Sequence, residues 1–394
     1  MATTYDLDTV RGELPVLHDW IYLNTGTVGI MAEPVLKAHL DYLAHYERGG
    51  HTAQHVAVES YNHSKLKLAE LLGVDPADIA FNRNATDGIN AVAAGFPLQP
   101  GDEIITSTEE HPAMVIPWLA ACDRNGARMR FMPISADSDQ FVANLLAQFT
   151  PQTRVVTISQ VSCETGVRLP VDLIRGIVGP DVAILIDASQ SVGQFEVKIP
   201  KLNADFVIGN GHKWLAGPKG TGFVWFKPES IHLAPPVYFH SETVDPHWSR
   251  DYYQSDPLPA IKVSGKAERF EFGTRSWHLF GALANAIEYQ ATLGWPAIEN
   301  HMRTMSNHAK ESLAEIPGVR VLSPGEWEDS SGLVTFSIAG MQGELASQRL
   351  WDGYKIAQRR VASPSSVRVA CAYFTSAEDI QCLVEAVDSL ARHG

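Results

Sequence analysis

The chain predicts an α/β fold with a mostly parallel sheet, on three observations. Short Val/Ile-rich runs recur from about residue 60 to 230, amphipathic helical stretches lie between several of them, and Gly, Pro, Asp or Asn bounds the runs. The runs EIITS (103–107), RVVTIS (154–159), AILID (183–187), DFVIG (205–209) and GFVWF (222–226) read as buried strands. Residues 64–72 and 113–125 read as helices between strands, which implies a sheet covered on both faces. Residues 235–265 then turn irregular and rich in aromatics, His and Pro. Apolar Phe280, Leu283, Ile287 and Ala291 give 275–293 a helical period. LVTFSIA (333–339) and VRVACAYF (367–374) read as strands, and 376–392 as a closing helix. The expected division is a large domain over 21–275 and a smaller α+β domain from 276–394 joined by 1–20.

The 394 residues suffice for one large core and a smaller one. Lys and Arg number 31 against 45 Asp and Glu, a formal charge of −14 with no basic run, which argues against nucleic acid as a partner. No apolar stretch approaches the roughly 20 residues that cross a bilayer, so no membrane partner is expected. The opening residues, MATTYDLDTVRGELPV, do not read as a secretory signal. Cys122, Cys163, Cys371 and Cys382 lack CxxC spacing and read as reduced thiols of a cytoplasmic protein, with no metal site.

Asp187 closes one predicted strand, and Lys213 follows the next in IGNGHKW. Carboxyl ends of neighbouring parallel strands share one crevice, where such sheets bind ligands. An acid and an amine placed there suit pyridoxal 5′-phosphate (PLP), whose aldehyde condenses with a lysine and whose pyridine nitrogen needs a carboxylate. Either residue alone reads more simply, Asp187 as a helix cap and Lys213 as a surface cation; the Gly-His-Lys-Trp setting after a buried strand tips the balance. In NRNATDGIN (82–90), Asn84-Ala85-Thr86 opens a helix whose free N–H groups attract phosphate, or are simply capped. His111 stacks on a flat ring or hydrogen-bonds a loop, the two readings being evenly matched. Gln190, three residues past Asp187, is placed to donate to a phenolic oxygen.

With these residues in hand, the chain resembles the class V aminotransferase family of PLP fold type I. The branch in question holds cysteine desulfurases, cysteine/cystine C–S lyases and isopenicillin N epimerase-like proteins. YLNTGTVG, RNATDGIN, EEHPAM, DASQSVG, GHKWLAGPKGTGFVWF, RFEFGTRS and VRVACAYF fall in the family's order over nearly the whole chain. The resemblance implies a sheet of the seven-stranded type and a Schiff base of PLP on Lys213. It implies Asp187 at the pyridine nitrogen, Gln190 at the ring oxygen, His111 stacked on the ring, and Ala85, Thr86 and His212 at the phosphate. Thr274 would reach the phosphate of a neighbouring subunit, so a homodimer is implied. Arg368 would clamp a substrate carboxylate, with Arg359 and Asn24 as weaker substrate contacts.

Two departures bear on the reaction. Asn210 stands where many members have Ser or Thr and is expected to donate to phosphate. The stretch 359–367, where desulfurases carry the sulfur-accepting cysteine, has none. The expected activity is therefore β-elimination from an L-cysteine S-conjugate or a cystine-like amino acid, Lys213 taking the Cα proton, a thiolate leaving, and pyruvate and ammonia following. Decarboxylation or oxidative deamination of the conjugate, epimerisation and transamination are the alternatives within this chemistry, and a degenerate, non-catalytic binding fold the alternative outside it. The aromatic residues within 238–253 read as a lid over a bulky S-substituent, as a dimer contact or as plain loop packing. Purified protein is expected to show a visible absorbance band that borohydride removes; a colourless protein indifferent to added PLP would instead match the binding fold.

Overall fold

Alternating side chains along each strand, pointing to opposite faces of a sheet, dictate the layering. In this computed structural model, residues 5–245 and 248–393 are described. The strands in chain order are β1 (Ile21–Tyr22), β2 (Ile79–Asn82), β3 (Glu103–Ser107), β4 (Arg128–Met132), β5 (Thr153–Ser159), β6 (Ala183–Asp187) and β7 (Phe206–Asn210). They continue with β8 (Gly222–Phe226), β9 (Val319–Val321), β10 (Leu333–Ile338), β11 (Ile356–Ala357), β12 (Arg359–Val361) and β13 (Ser366–Ala370).

The large sheet has seven strands in the order β2-β8-β7-β6-β5-β3-β4. Its β4-β3-β5-β6-β7 run is parallel, while β8 pairs antiparallel with both β7 and β2. The chain is thus an α/β protein with a mostly parallel sheet, as its sequence predicts. Ile105, Val156, Ile184, Ile186 and Val207 enter one buried cluster, and their neighbours Ile104, Val155, Leu185, Phe206 and Ile208 enter another on the opposite face. A four-stranded antiparallel sheet, β12-β13-β10-β9, packs with the closing helix Ala377–His393 around Val334, Phe336, Val369 and Leu383.

Several element boundaries differ from expectation. The helix expected over 64–72 begins at Gln54, because Ala57, Tyr61, Ser64 and Leu68 form a buried stripe whose small and polar members hide the period. The last strand stops at Ala370, which pairs with Leu333, the first residue of β10. Beyond it the Cys371 N–H still reaches the Gly332 carbonyl at 2.7 Å, but the Ala372 N–H turns away to the Thr375 hydroxyl at 2.8 Å. Cys371 therefore lies just past the strand, fully buried. The described residues of 235–265 hold no strand, but short 3-10 turns such as Ser241–Thr243 and Arg250–Gln254 and one isolated bridge, Val244 with Val263.

The helix Pro112–Asn125 lays Trp118 into the second cluster, edge-on to Phe96 at 5.7 Å. Trp118→Ala should cost about 3–5 kcal/mol in denaturant unfolding. Trp118→Phe should cost less than half of that, since the indole Nε1 has no hydrogen-bond partner to lose.

Candidate active site

The parallel strands deliver their last residues to one place. Ser159 ends β5 and is the register partner of Asp187, which ends β6; Asn210 ends β7 beside them. A cavity of about 570 Å3 opens over these ends, lined among others by Thr86, His111, Asp187, Asn210 and Lys213. That volume suits a small molecule, such pockets running roughly 300–1,000 Å3. Ala85, Gln190, His212 and Arg359 also line it. Asn24, Thr274 and Arg368 are outside the lining.

The lysine loop is fixed from the N-terminal side. Gly29 donates its N–H to the His212 carbonyl at 2.7 Å, and a Cβ on Gly29 would lie 2.1 Å from the Lys213 carbonyl oxygen. Only glycine fits there. Burial pushes the Lys213 amine below its ordinary range; the Asp187 charge opposes that push, and Arg368 and Arg359 add to it. Asp187 is itself steadied by the Ser189 N–H, 2.7 Å from Oδ1.

At the other end of the cavity stands the nine-residue helix Ala85–Ala93, capped by Asn84, whose Oδ1 accepts the Asp87 N–H at 3.0 Å. The Ala85 N–H donates to Asn210 Oδ1 at 2.9 Å, and Asn210 Nδ2 donates to Ser189 Oγ at 2.9 Å. Asn210 thus braces the helix start and keeps one N–H to spare. Among the described residues the Thr86 N–H has no acceptor, so the helix presents it and its dipole to an anion. The expected cap is present, with Asn84 as the capping residue.

His111 caps the helix Pro112–Asn125, its Nδ1 accepting the Ala113 N–H at 3.1 Å, which leaves Nε2 to carry the proton of the neutral ring. The loop-bonding reading of this residue holds, and its ring also lines the cavity. Burial lowers its pKa, and Lys213 lowers it further. His212 Nδ1 lies 3.0 Å from the Thr221 carbonyl, and burial lowers its pKa too. The Gln190 amide is engaged on both ends, donating to the Gly26 carbonyl at 2.8 Å and accepting the Trp214 indole N–H at 2.8 Å.

Arg368 is fully buried and has no acidic partner among the described residues. It donates to the Cys163 carbonyl and, at 3.0 Å, to the Thr27 hydroxyl, two residues of the cavity wall; its Nε has no partner. Burial, then Arg359, lower its pKa to about 10. Its cross-strand neighbour Arg359 pairs with Glu164 at 3.0 Å. Asn24 is near the same wall, with a buried Oδ1 that has no partner. Thr274 sits on an exposed loop outside the cavity. Tyr238, Phe239 and Tyr253 are exposed and none lines the cavity, so in this chain alone the aromatic segment does not cover it.

Some wall residues escape sequence reasoning. Cys163 lines the cavity, its thiol pushed up to about 12 chiefly by burial. Glu109 accepts from the Ser162 hydroxyl at 2.6 Å and from Thr165 at 2.5 Å, and Glu110 accepts from the Ser107 hydroxyl at 2.7 Å and the Ser159 N–H at 2.9 Å. Together they clamp 159–165 onto the end of β3. The available signal was position: Ser159 and its followers leave the carboxyl end of a parallel strand.

Residues 21–383 match the family described as Aminotransferase class-V. Among curated relatives, the chain is 27% identical over 399 residues to an isopenicillin N epimerase of Streptomyces clavuligerus, covering 98% of each protein. It is 28% identical over 419 residues to a cysteine desulfurase of Dickeya dadantii, covering 98% of this chain and 97% of that one. Among solved structures it is similar to the cystine C–S lyase C-DES in complex with its reaction product cysteine persulfide, with a TM-score of 0.86 and 25% identity over 95% of this chain and 99% of that one. A C-DES variant with glycine covalently linked to its PLP cofactor gives a TM-score of 0.87 at 25% identity, covering 96% and 98%.

Burial raises the Glu110 carboxyl to about 7 against its hydrogen bonds, with Asp187 adding to the rise. The folded chain therefore holds this proton more tightly than the unfolded chain, and stability is lost as pH climbs from about 4.5 to about 7. Each unit of difference is worth roughly 1.4 kcal/mol. Thermal unfolding of Glu110→Gln should show a flatter decline than the wild type across that window; parallel declines would exclude the effect.

Proposed function

The chain belongs to the class-V aminotransferase family and is a PLP enzyme, and on that premise we propose that it is a carbon–sulfur lyase. It would catalyse β-elimination from an L-cysteine S-conjugate or a cystine-like amino acid. The carrying observation is the missing sulfur acceptor. Segment 359–367 has no cysteine, and of the four thiols only Cys163 lines the cavity, where burial keeps it protonated. A persulfide-forming desulfurase needs a thiolate at hand.

The residues fit the cofactor. The Lys213 amine has no hydrogen-bond acceptor among the described residues, the Thr86 N–H faces the cavity unsatisfied, and Asp187 stands on the strand next to the lysine loop. Gly222 lets the helix start approach the sheet, since a Cβ there would lie 2.6 Å from Asn84 Cα. PLP, when bound, supplies an aldehyde for an amine and a ring that accepts electrons from the bonds at Cα. In this reading Lys213 holds the cofactor and Asp187 meets its ring nitrogen, with His111 across the ring and Gln190 at its oxygen. Ala85, Thr86, Asn210 and His212 surround its phosphate.

Arg368 holds the substrate carboxylate, the anion its buried guanidinium lacks, with Asn24 nearby. Lys213, its pKa lowered by burial, takes the proton from the substrate Cα as a neutral amine. The leaving thiol needs no acceptor from the protein. Thr274, exposed and outside the cavity of its own chain, is read as serving the site of a second copy, which makes the protein a homodimer. A cytoplasmic location and the division into 21–275 and 1–20 with 276–394 belong to the same reading.

Incubating the holoenzyme with a panel of S-substituted cysteines and weighing the products tests the activity. Pyruvate with a thiol or persulfide is expected; carbon dioxide, with or without an aldehyde, would assign decarboxylation with or without oxidative deamination, and an inverted amino acid epimerisation, instead. Cys163→Ala should keep its pyruvate yield within about threefold, whereas a desulfurase loses its nucleophile and with it roughly 100-fold or more.

A further inference from the structure

The residue after Lys213 reaches back to the loop that follows β6. Trp214 is fully buried and outside the cavity lining, yet its indole Nε1 donates to Gln190 Oε1 at 2.8 Å. Gln190 Nε2 donates in turn to the Gly26 carbonyl at 2.8 Å. Neither partner can exchange roles, since an indole N–H only donates and a backbone carbonyl only accepts. Turning the buried amide over would set N–H against N–H and oxygen against oxygen. Nε2 therefore stays a donor, and its second N–H has no acceptor among the described residues. The surroundings hold each part still. The Gln190 backbone carbonyl accepts from Gln194 Nε2, and Gln194 Oε1 accepts the Gly332 N–H at 2.6 Å. Glycines make room at both ends of Trp214: a Cβ on Gly193 would lie 3.0 Å from its Cβ, and one on Gly332 would lie 3.2 Å from its Cη2.

We propose that Trp214 is a positioning residue for the cofactor: by holding the Gln190 amide in this one orientation, it presents a donor rather than an acceptor to the ring oxygen of PLP. This rests on the reading that puts Gln190 at that oxygen, and it adds the residue that decides which end of the amide the ring meets. A donor there favours the oxygen in its ionised form. The proton shared between that oxygen and the lysine nitrogen is then given up at a lower pH. An amide free to turn over would present its own oxygen for part of the time and lose the effect. Trp214 touches neither cavity nor ring, so its influence passes through Gln190 alone.

Titrating the visible absorbance band of the holoenzyme against pH tests this without substrate. Gln190→Ala should raise the midpoint of the band's change by about one pH unit, and Trp214→Phe by about half a unit. In the Gln190→Ala background, Trp214→Phe should add less than about 0.2 unit, because its effect passes through the amide. The charged groups around the site, Asp187, His111, Arg359 and Arg368, are the same in every variant, so the shift reads the amide. Trp214→β-(3-benzothienyl)alanine keeps the shape of the indole and lacks only its N–H. It should repeat the shift of Trp214→Phe, and it carries the test where the smaller ring disturbs folding. An unchanged midpoint in the Trp214 variants, beside a raised one in Gln190→Ala, overturns the proposal and leaves Gln190 at the ring oxygen. So does a shift of equal size in both backgrounds, which would make Trp214 a packing residue of the lysine loop. No shift in Gln190→Ala itself would withdraw Gln190 from the ring, and the proposal with it, while the lyase reading stands.

Discussion

Keeping an amine out of water is the constraint on which the rest of the site depends. Burial disfavours the charged form of Lys213, and the surroundings divide over it, with Asp187 favouring the charge and two arginines opposing it. An amine in that balance gives up its proton more readily than a surface lysine does. The balance needs every partner in place. Register supplies Asp187 from β6, the N-terminal segment closes over the lysine loop through Gly29, and β12 with β13 bring the arginines.

The chemical centre was legible in the sequence because strand ends are legible. A buried apolar run that stops at a polar residue marks the place where a parallel strand meets its crevice, and Asp187, Lys213, Asn84 and His111 all follow such runs. The sequence spacing of Asp187 and Lys213 reads as one strand–helix–strand unit; the structure has the two neighbouring strands but joins them through a loop with only a short 3-10 helix, Ile199–Leu202, in place of an α-helix. Elements with weak patterns were harder to see. β4, RMRFM, is an edge strand with Arg128 and Phe131 exposed, so it lacks the apolar run of its neighbours. The start of the helix at Gln54 was lost because Ala57 and Ser64 bury small side chains rather than large ones.

Roles that depend on side-chain pairing left no trace in one dimension. Nothing local marks Glu164 as the partner of Arg359, 195 residues away, or Glu110 as the acceptor from Ser159. The carboxylates at 109 and 110 illustrate the point, since consecutive acids usually signal a solvated turn. Here they grip the end of β5 and the loop after it through the hydroxyls of Ser159, Ser162 and Thr165, with Ser107 of β3 donating to Glu110, and so place Cys163 in the wall.

The segment from Leu23 to Gly29 has a consequence for how the molecule assembles. Leu23 donates to the Ala357 carbonyl and accepts from the Ala370 N–H, while Gly29 a few residues later binds the His212 carbonyl. Contacts this distant in the chain close late, because the entropy of the intervening loops must be overcome before the bonds repay it. The segment that braces the lysine loop is thus itself held by Ala357 of β11 and Ala370 of β13. Until β13 has formed, Leu23 lacks the Ala370 N–H that helps to hold the segment leading to Gly29.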